Sequence, residues 1–317
     1  MRKAALLYNA RSGGRRNRRE ADLRAILKIL ADAGVQTALI RTQSSADAAE
    51  QASKAILEGC DTVFACGGDG TVHDVLQGIA GSRVALGVIP MGTANALAHD
   101  LGIPFEPSKA VLAALNGEPK RIALGQVTVP GLDGSPRTRY FTVAVGIGVD
   151  AHLFYKLHAG TKQRLGMAAY YAKAWHLWCN HRMRTFRVGV SPGTSSDALH
   201  AGVTEMLAVR IRNFGGVLRE LAPGASLERD DVRVVLCRTS SRFSYLLYVI
   251  RGFLGARWSV PGIELIHSHA VRCQYEDVPE EVGSGKVYVE ADGELVGTLP
   301  AEITMVPDAL TILVPRR

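Results

Sequence analysis

Over roughly the first 120 residues, short unbroken apolar runs alternate with stretches whose apolar positions recur every three or four residues. Lys3 to Tyr8 reads as a strand, followed by the loop NARSGGRR. Leu23, Ile26, Leu27 and Leu30 then share one helical face, and Gly34 closes that helix. Val35–Ile40 predicts a second strand, and Ser44 or Ser45 is placed to cap a helix through Leu57. Asp61–Cys66 is a third strand, opening into GGDGT and a helix to Ala80. Val84–Ile89 is a fourth, opening into PMGTAN and a helix to Leu101. Pro104 and Pro107 break the chain before a last helix that ends at Asn116–Gly117. Strand and helix in alternation predict a parallel sheet covered by helices.

From Arg121 the period shortens. Runs at Tyr140–Val145, Arg184–Val190, Glu205–Arg212, Val232–Leu236, Val287–Glu290 and Leu310–Val314 predict strands. Helical segments interrupt them around Leu165–Trp178 and Phe243–Phe253. The expectation is an α/β domain over residues 1–125, then a second, largely antiparallel β-rich domain.

Composition narrows the class. Of 317 residues 47% are hydrophobic and 21% charged, a globular balance, and 317 residues suit one large or two medium domains. No apolar run reaches the roughly 20 residues of a membrane-spanning helix. The apolar stretch after Met1–Arg2–Lys3 is too short for a signal peptide, so a soluble cytoplasmic protein is expected. Five cysteines, none at CxxC spacing, argue for reduced buried thiols rather than disulfides or zinc.

The net charge of +7 favours an anionic partner, and its distribution suggests which. No Asp or Glu lies between Asp150 and Asp197, a stretch holding Lys156, Lys162, Arg164 and Lys173 among Tyr170, Tyr171, Trp175 and Trp178. A second acid-free stretch, Val232 to Ile263, contains RFSYLLYVIRGFLGARW. Cations beside aromatic and apolar residues suit the headgroup zone of an anionic membrane. The alternative for either stretch is aromatic core beneath a solvated arginine face. Nucleic acid is not expected, because no helix-turn-helix, zinc-finger or RNA-binding signature accompanies the basic residues.

The chemistry concentrates at the strand ends. Gly67, Gly68, Asp69, Gly70 and Thr71 form a glycine-rich turn into a helix, where free N–H groups attract phosphate. Asp69 beside phosphate calls for a divalent cation or a ribose hydroxyl, which points to Mg²⁺-nucleotide chemistry. Gly92, Thr93 and Asn95 repeat the geometry after the next strand. Asn9, Ser12 and Gly13, with Arg16, follow the first strand and close a third side. Open α/β sheets bind ligands in that crevice. A P-loop, HExxH and GxSxG are absent, and GIGVDA at residues 146–151 lacks the downstream acid of a dinucleotide fingerprint.

Taken in order, these segments resemble the diacylglycerol kinase catalytic-domain family, lipid kinases related to sphingosine kinases and more distantly to NAD kinases. The series runs NARSGG, Thr42, GGDGTVHDVLQG, PMGTANALAHDLGIP, GIGVDAH, Lys162 with RLG from Arg164, NFGG, APGA, RDDV and finally Asp292–Gly293–Glu294. The resemblance implies an ATP-binding α/β domain, a β-sandwich acceptor domain over 126–300, and a segment 301–317 that returns to the first. It implies ATP and Mg²⁺ in the cleft, held by Asn9, Ser12, Gly13, Arg16, Thr42, Gly67–Thr71, Gly92, Thr93, Asn95 and Glu294. It makes Asp292 the general base toward a lipid hydroxyl, with Asp69 at the reacting centre. Asp150, Lys162 and Arg164 would meet the acceptor, and Asp231 a second, structural Mg²⁺. Capping for Asp150 and an exposed turn for Asp231 are the alternatives.

Two positions depart from the bacterial pattern: Ala96 stands where GTAND has its acid, and Leu124 where many members have another. His73 and the Asn95–Ala98 string look closer to sphingosine kinases, although a histidine at a helix start is more often a capping or packing residue. The expectation is an ATP- and Mg²⁺-dependent lipid kinase docking peripherally on the inner face of the membrane. Diacylglycerol is its first acceptor, with a sphingoid base or ceramide as alternative. A soluble-substrate kinase of the NAD kinase type, a non-catalytic lipid-binding protein and a homodimeric state stay open.

Overall fold

The computed structural model describes residues 1–9, 18–149, 151, 183–191, 199–215, 220–256, 258–276 and 286–316. Its first half is the alternation the periodicity predicts. Strands β1 (Lys3–Asn9), β2 (Gln36–Thr42), β3 (Thr62–Gly67) and β4 (Ala85–Pro90) are parallel, in the order β2-β1-β3-β4. β3 and β4 are buried at every position, as expected of strands covered on both faces. Helix α1 (Arg19–Asp32) buries Leu23, Ile26 and Leu30 along one stripe. Helix α2 (Ser45–Leu57) starts where Ser44 accepts the Asp47 N–H at 3.2 Å.

Helix α3 (Asp69–Ile79) lies close against α2, because Ala52 and Gly78 leave room. A β-carbon on Gly78 would stand 2.1 Å from the Ala49 carbonyl oxygen. Helix α4 is short (Ala96–Asp100), ending one residue before the expected Leu101, and α5 (Pro107–Leu115) has Pro107 in its first turn.

The second half holds more strands than the sequence pattern suggests. β5 (Glu118–Pro130) runs without a break through residue 125 and pairs with β6 (Pro136–Phe141). A separate antiparallel sheet follows the order β12-β11-β10-β7-β14-β15. Its strands are β7 (Ala144–Gly148), β10 (Glu205–Val209), β11 (Val232–Cys237), β12 (Ile263–Ser268), β14 (Tyr288–Ala291) and β15 (Glu294–Thr298). Gly146 and Gly148 of the GIGVDA string lie inside β7, so that string forms no dinucleotide loop. β8 (Phe186–Ser191), β9 (Leu199–Val203) and β13 (Ala270–Tyr275) extend the first sheet instead. Helix α6 (Arg242–Leu254) matches the helical segment expected around Phe243–Phe253.

Strand β16 (Ala301–Val314) joins the halves. It runs parallel to β4 through Thr311 and Ile312, antiparallel to β5, and antiparallel to β13 through Ala301–Thr304. A bulge between Val306 and Leu310, with Asp308 at φ 47°, lets it turn from one neighbour to the next. Cys60, Cys66, Cys237 and Cys273 are buried and unpaired, and burial pushes each thiol above its ordinary range.

Candidate active site at the junction of the two sheets

The expected strand Tyr140–Val145 is two strands in different sheets. The break has a cause: the N–H groups of Thr142, Val143 and Ala144 leave the ladder and donate to one carboxylate, that of Asp292. Oδ1 accepts from Val143 at 2.8 Å and Ala144 at 3.1 Å. Oδ2 accepts from Thr142 N–H at 2.9 Å and, at longer range, from Thr142 Oγ1 at 3.3 Å. His73 Nδ1 stands 3.4 Å from Oδ2, where only an Nδ1–H can donate to a carboxylate. Asp292 and Gly293 form the two-residue turn between β14 and β15, with φ of 49° and 83°. An Asp-Gly pair at two positive φ angles is the preferred tight hairpin turn. Glu290 Oε2 fixes the turn from behind by accepting the Gly293 N–H at 2.8 Å.

That hairpin faces the start of α3. Gly68, the N-cap of α3, has no side chain to cap the helix. The Glu294 carboxylate lies over Gly70, where an added β-carbon would be 3.0 Å from Oε1. Gln77, one turn beyond His73, donates to the Tyr140 carbonyl at 2.9 Å and accepts the Tyr140 N–H at 3.0 Å. The helix is thereby pinned against β6. Nothing in the local sequence marks Thr142 or Gln77, although the i, i+4 spacing of His73 and Gln77 puts them on one helical face.

The two glycine-rich loops hold each other. Asp69 accepts the Asn95 N–H at 2.8 Å through Oδ2 and the Ala96 N–H at 2.7 Å through Oδ1. Both Asp69 oxygens are thus already held by the chain's own backbone, each keeping a lone pair for a further partner. Asp69 acts as a clamp across the two loops. Burial pushes its carboxyl up, the two amides oppose that, and the charge of Asp292 adds to the rise. Asn95 sits at φ 51°, its Oδ1 accepting the Gly92 N–H at 2.9 Å. The loops touch backbone to backbone: a β-carbon on Gly92 would be 2.4 Å from the Gly68 α-carbon. These glycines serve loop contact first. Thr71 is buried, Thr93 is exposed, and Asn9 pairs in register with the buried Thr42, whose Oγ1 donates to the Tyr8 carbonyl at 3.3 Å. Asn9, Thr42, Gly67 and Gly92 all stand at carboxyl ends of parallel strands, where open α/β sheets carry their ligand crevice.

Ser12, Gly13, Arg16, Asp150, Lys162 and Arg164 lie outside the described residues, as do the helical segment expected at Leu165–Trp178 and most of the first acid-free stretch.

Asp231 belongs to a different cluster. It is paired with Arg229, and His267 Nδ1 lies 3.2 Å from Oδ1. Beside it the Arg210 side chain is wholly buried and donates to four backbone carbonyls. They belong to Arg229 (2.5 Å), Asp231 (2.6 Å), Ala123 (2.8 Å) and Leu227 (3.4 Å). Converging carbonyls next to a carboxylate are hard-cation ligands. Here a guanidinium fills them, so the structural Mg²⁺ expected at Asp231 does not fit. Among the described residues no group of three or more His, Cys, Asp or Glu could hold a metal ion. Burial lowers the Arg210 pKa to about 10, against the charges of Asp231 and Asp230.

His73 offers a pH test. Burial disfavours its imidazolium, but the hydrogen bond and charge of Asp292, with the charges of Asp74 and Glu294, prevail and raise its pKa above 6.5. A raised folded-state pKa contributes stability that is complete below 6.5 and lost as pH climbs through the folded value. The melting temperature of the native chain minus that of His73→Gln is therefore largest in mildly acidic buffer and shrinks toward alkaline pH. A difference that is flat or grows with pH would show that His73 is not held as the cation.

A mixed α/β sheet whose glycine-rich strand ends face an antiparallel sheet is the architecture of the kinases that include diacylglycerol and NAD kinases. The diacylglycerol kinase catalytic domain matches residues 3–127, and the YegS C-terminal NAD kinase beta sandwich-like domain matches residues 143–314. The chain belongs to this diacylglycerol kinase family and is a kinase that acts on a lipid. It is 28% identical to a diacylglycerol kinase of Bacillus subtilis (strain 168), covering 100% of this chain and 97% of the relative. A diacylglycerol kinase of Mycobacterium tuberculosis is 28% identical over 89% of this chain and 86% of its own. Among solved structures, a diacylglycerol kinase from Bacillus anthracis str. Sterne shares the fold at a TM-score of 0.70 and 16% identity, covering 99% of this chain and 96% of that one. A yeast NADH kinase shares it at 0.53 and 10%, covering 100% and 84%.

Proposed function

We propose that this kinase transfers the γ-phosphoryl group of ATP to the hydroxyl of diacylglycerol, in a Mg²⁺-dependent reaction at the inner face of the membrane. The observation that carries the reading is the Asp292–Glu294 hairpin set against the uncapped start of α3, with the Asp69 clamp holding the second loop beside it. Asn9, Thr42, Gly67, Gly68, Gly92 and Asn95 line the crevice that would hold the nucleotide, and Glu294, over the start of α3, is a carboxylate that would hold Mg²⁺. When bound, Mg²⁺-ATP supplies the phosphoryl group and neutralises its charge.

The two oxygens of Asp292 differ in what they can do. Oδ1 is held by two short amide bonds, whereas Oδ2 has one short bond and two contacts beyond 3.2 Å. A lipid hydroxyl can displace the Thr142 Oγ1 contact and deliver its proton to Oδ2, with the His73 Nδ1–H steadying that oxygen. Support for diacylglycerol comes from the relatives, which bear that name across bacteria.

The test is transfer from γ-labelled ATP to diacylglycerol, sphingosine, ceramide and NAD in parallel mixed-micelle reactions, with Mg²⁺ or with EDTA. Label on diacylglycerol, lost in EDTA, is the expected result. Label on sphingosine or ceramide alone would replace the acceptor, and label on NAD alone would overturn the proposal.

A further inference from the structure

Helix α6 is built inside out. Its inward face carries Ser244, Tyr245, Tyr248 and Arg251, and its outward face carries Phe243, Leu246, Val249, Ile250, Phe253 and Leu254. Phe243 is 68% exposed and Leu254 60%, and Trp258 just beyond the helix is also exposed. The usual surface helix has the opposite arrangement. Rotation cannot hide this face, because the polar side is bonded inward. Tyr245 Oη lies 2.9 Å from Thr204 Oγ1, and Tyr248 Oη donates to the Leu221 carbonyl. Arg251 donates to that carbonyl at 3.2 Å while its guanidinium stacks 4.4 Å from the Tyr248 ring centre. Ser241 caps the start of the helix and Gly255, at φ 62°, ends it.

An exposed apolar stripe of this size on a fixed helix marks a docking surface. From the structure we infer that α6 docks flat on an anionic lipid bilayer, with Phe243, Ile250 and Phe253 entering the boundary between headgroups and acyl chains. The charge pattern favours this occupant: no Asp or Glu occurs from Val232 to Ile263, so no carboxylate of that segment repels anionic headgroups. Length agrees. Thirteen helical residues extend about 20 Å, enough to lie in the interface and too little to cross it. Among the described residues no helix is long and apolar enough to span a membrane. The inference rests on the lipid-kinase reading, since an acceptor confined to a bilayer requires an enzyme that settles there.

The experiment is flotation of the full chain with vesicles of phosphatidylcholine, alone or mixed with phosphatidylglycerol. The paired variant Phe243→Gln with Phe253→Gln is compared with Leu57→Gln, which removes a leucine 87% exposed on α2. Glutamine keeps helix propensity, and a thermal melt checks folding. Native chain and Leu57→Gln should bind the mixed vesicles, while the paired variant binds about tenfold or more weakly for each ring removed. Phosphorylation of a short-chain, water-dispersed diacylglycerol should stay within about twofold of native, because that acceptor needs no docking.

Equal binding by a folded paired variant would overturn the inference, as would a native chain that ignores both vesicles. So would a native dimer that the paired variant splits with vesicle binding unchanged, because a second copy would then cover the face. If docking behaves as expected but no lipid acquires label, the acceptor reading fails and the docking face stands. If short-chain diacylglycerol is phosphorylated without flotation, the reverse holds.

Discussion

Asp292→Ala should abolish phosphoryl transfer and also lower the melting temperature by about 10 °C or more. Three buried N–H groups lose their acceptor at once, and each orphaned donor costs about 1–3 kcal/mol. The carboxylate is what turns the chain from β6 in one sheet to β7 in the other, so its loss loosens the junction between them. Asp292→Asn separates structure from chemistry. Its remaining oxygen can keep the Val143 and Ala144 amides while the new NH₂ opposes the Thr142 N–H, so part of the stability returns. Proton acceptance does not return, and transfer should stay down by about 10²–10⁴-fold when assayed well below both melting points. A folded Asp292→Asn protein with near-native turnover would refute the assignment of the base to Oδ2.

The second large effect is at Arg210. Arg210→Met keeps the length and apolar stem but strips donors from four carbonyls, and a loss of about 3–5 kcal/mol is expected. Arg210→Lys should recover a fraction, since an ammonium offers a single point where the guanidinium forks. A companion measurement uses the native chain. Because this cation is covalently attached, EDTA should leave the melt of the nucleotide-free protein unchanged while stopping catalysis. A melt that falls in EDTA and recovers with Mg²⁺ would place a structural metal in the fold after all.

The α/β half was legible because both periods are clean there. Runs such as TVFAC and ALGVI are too apolar for anything but a doubly covered strand, and the Leu23–Ile26–Leu30 stripe admits only a helix. β5, β12 and β13 were missed because partners distant in sequence define them. β5 carries Pro119 and Gly125, which argue against a strand locally, yet β16 holds it along its length. The turn at Asp292–Gly293 had a sequence signal, but the amides that surround it lie about 150 residues earlier, and no linear pattern links them. Arg210 reads as one of two basic residues in AVRIR. Only the convergence of carbonyls from β5 and from the segment before β11 reveals its role. For α6 the composition was informative and the orientation was not: RFSYLLYVIRGFL shows that the helix is amphipathic, and only the inward bonds of Tyr245, Tyr248 and Arg251 show which face looks out.

Strand β16 also sets the order in which the molecule can be completed on the ribosome. The open side of β4 pairs with Thr311 and Ile312, the last stretch of sheet to be translated. At about 5–20 residues per second, the roughly two hundred residues between them take about 10–40 s to make. For that interval the α/β half presents a bare, wholly apolar strand edge to its surroundings. Slow codons or a stalled ribosome between residues 120 and 300 should therefore raise aggregation and chaperone capture of nascent chains, whereas a stall upstream of β4 should not.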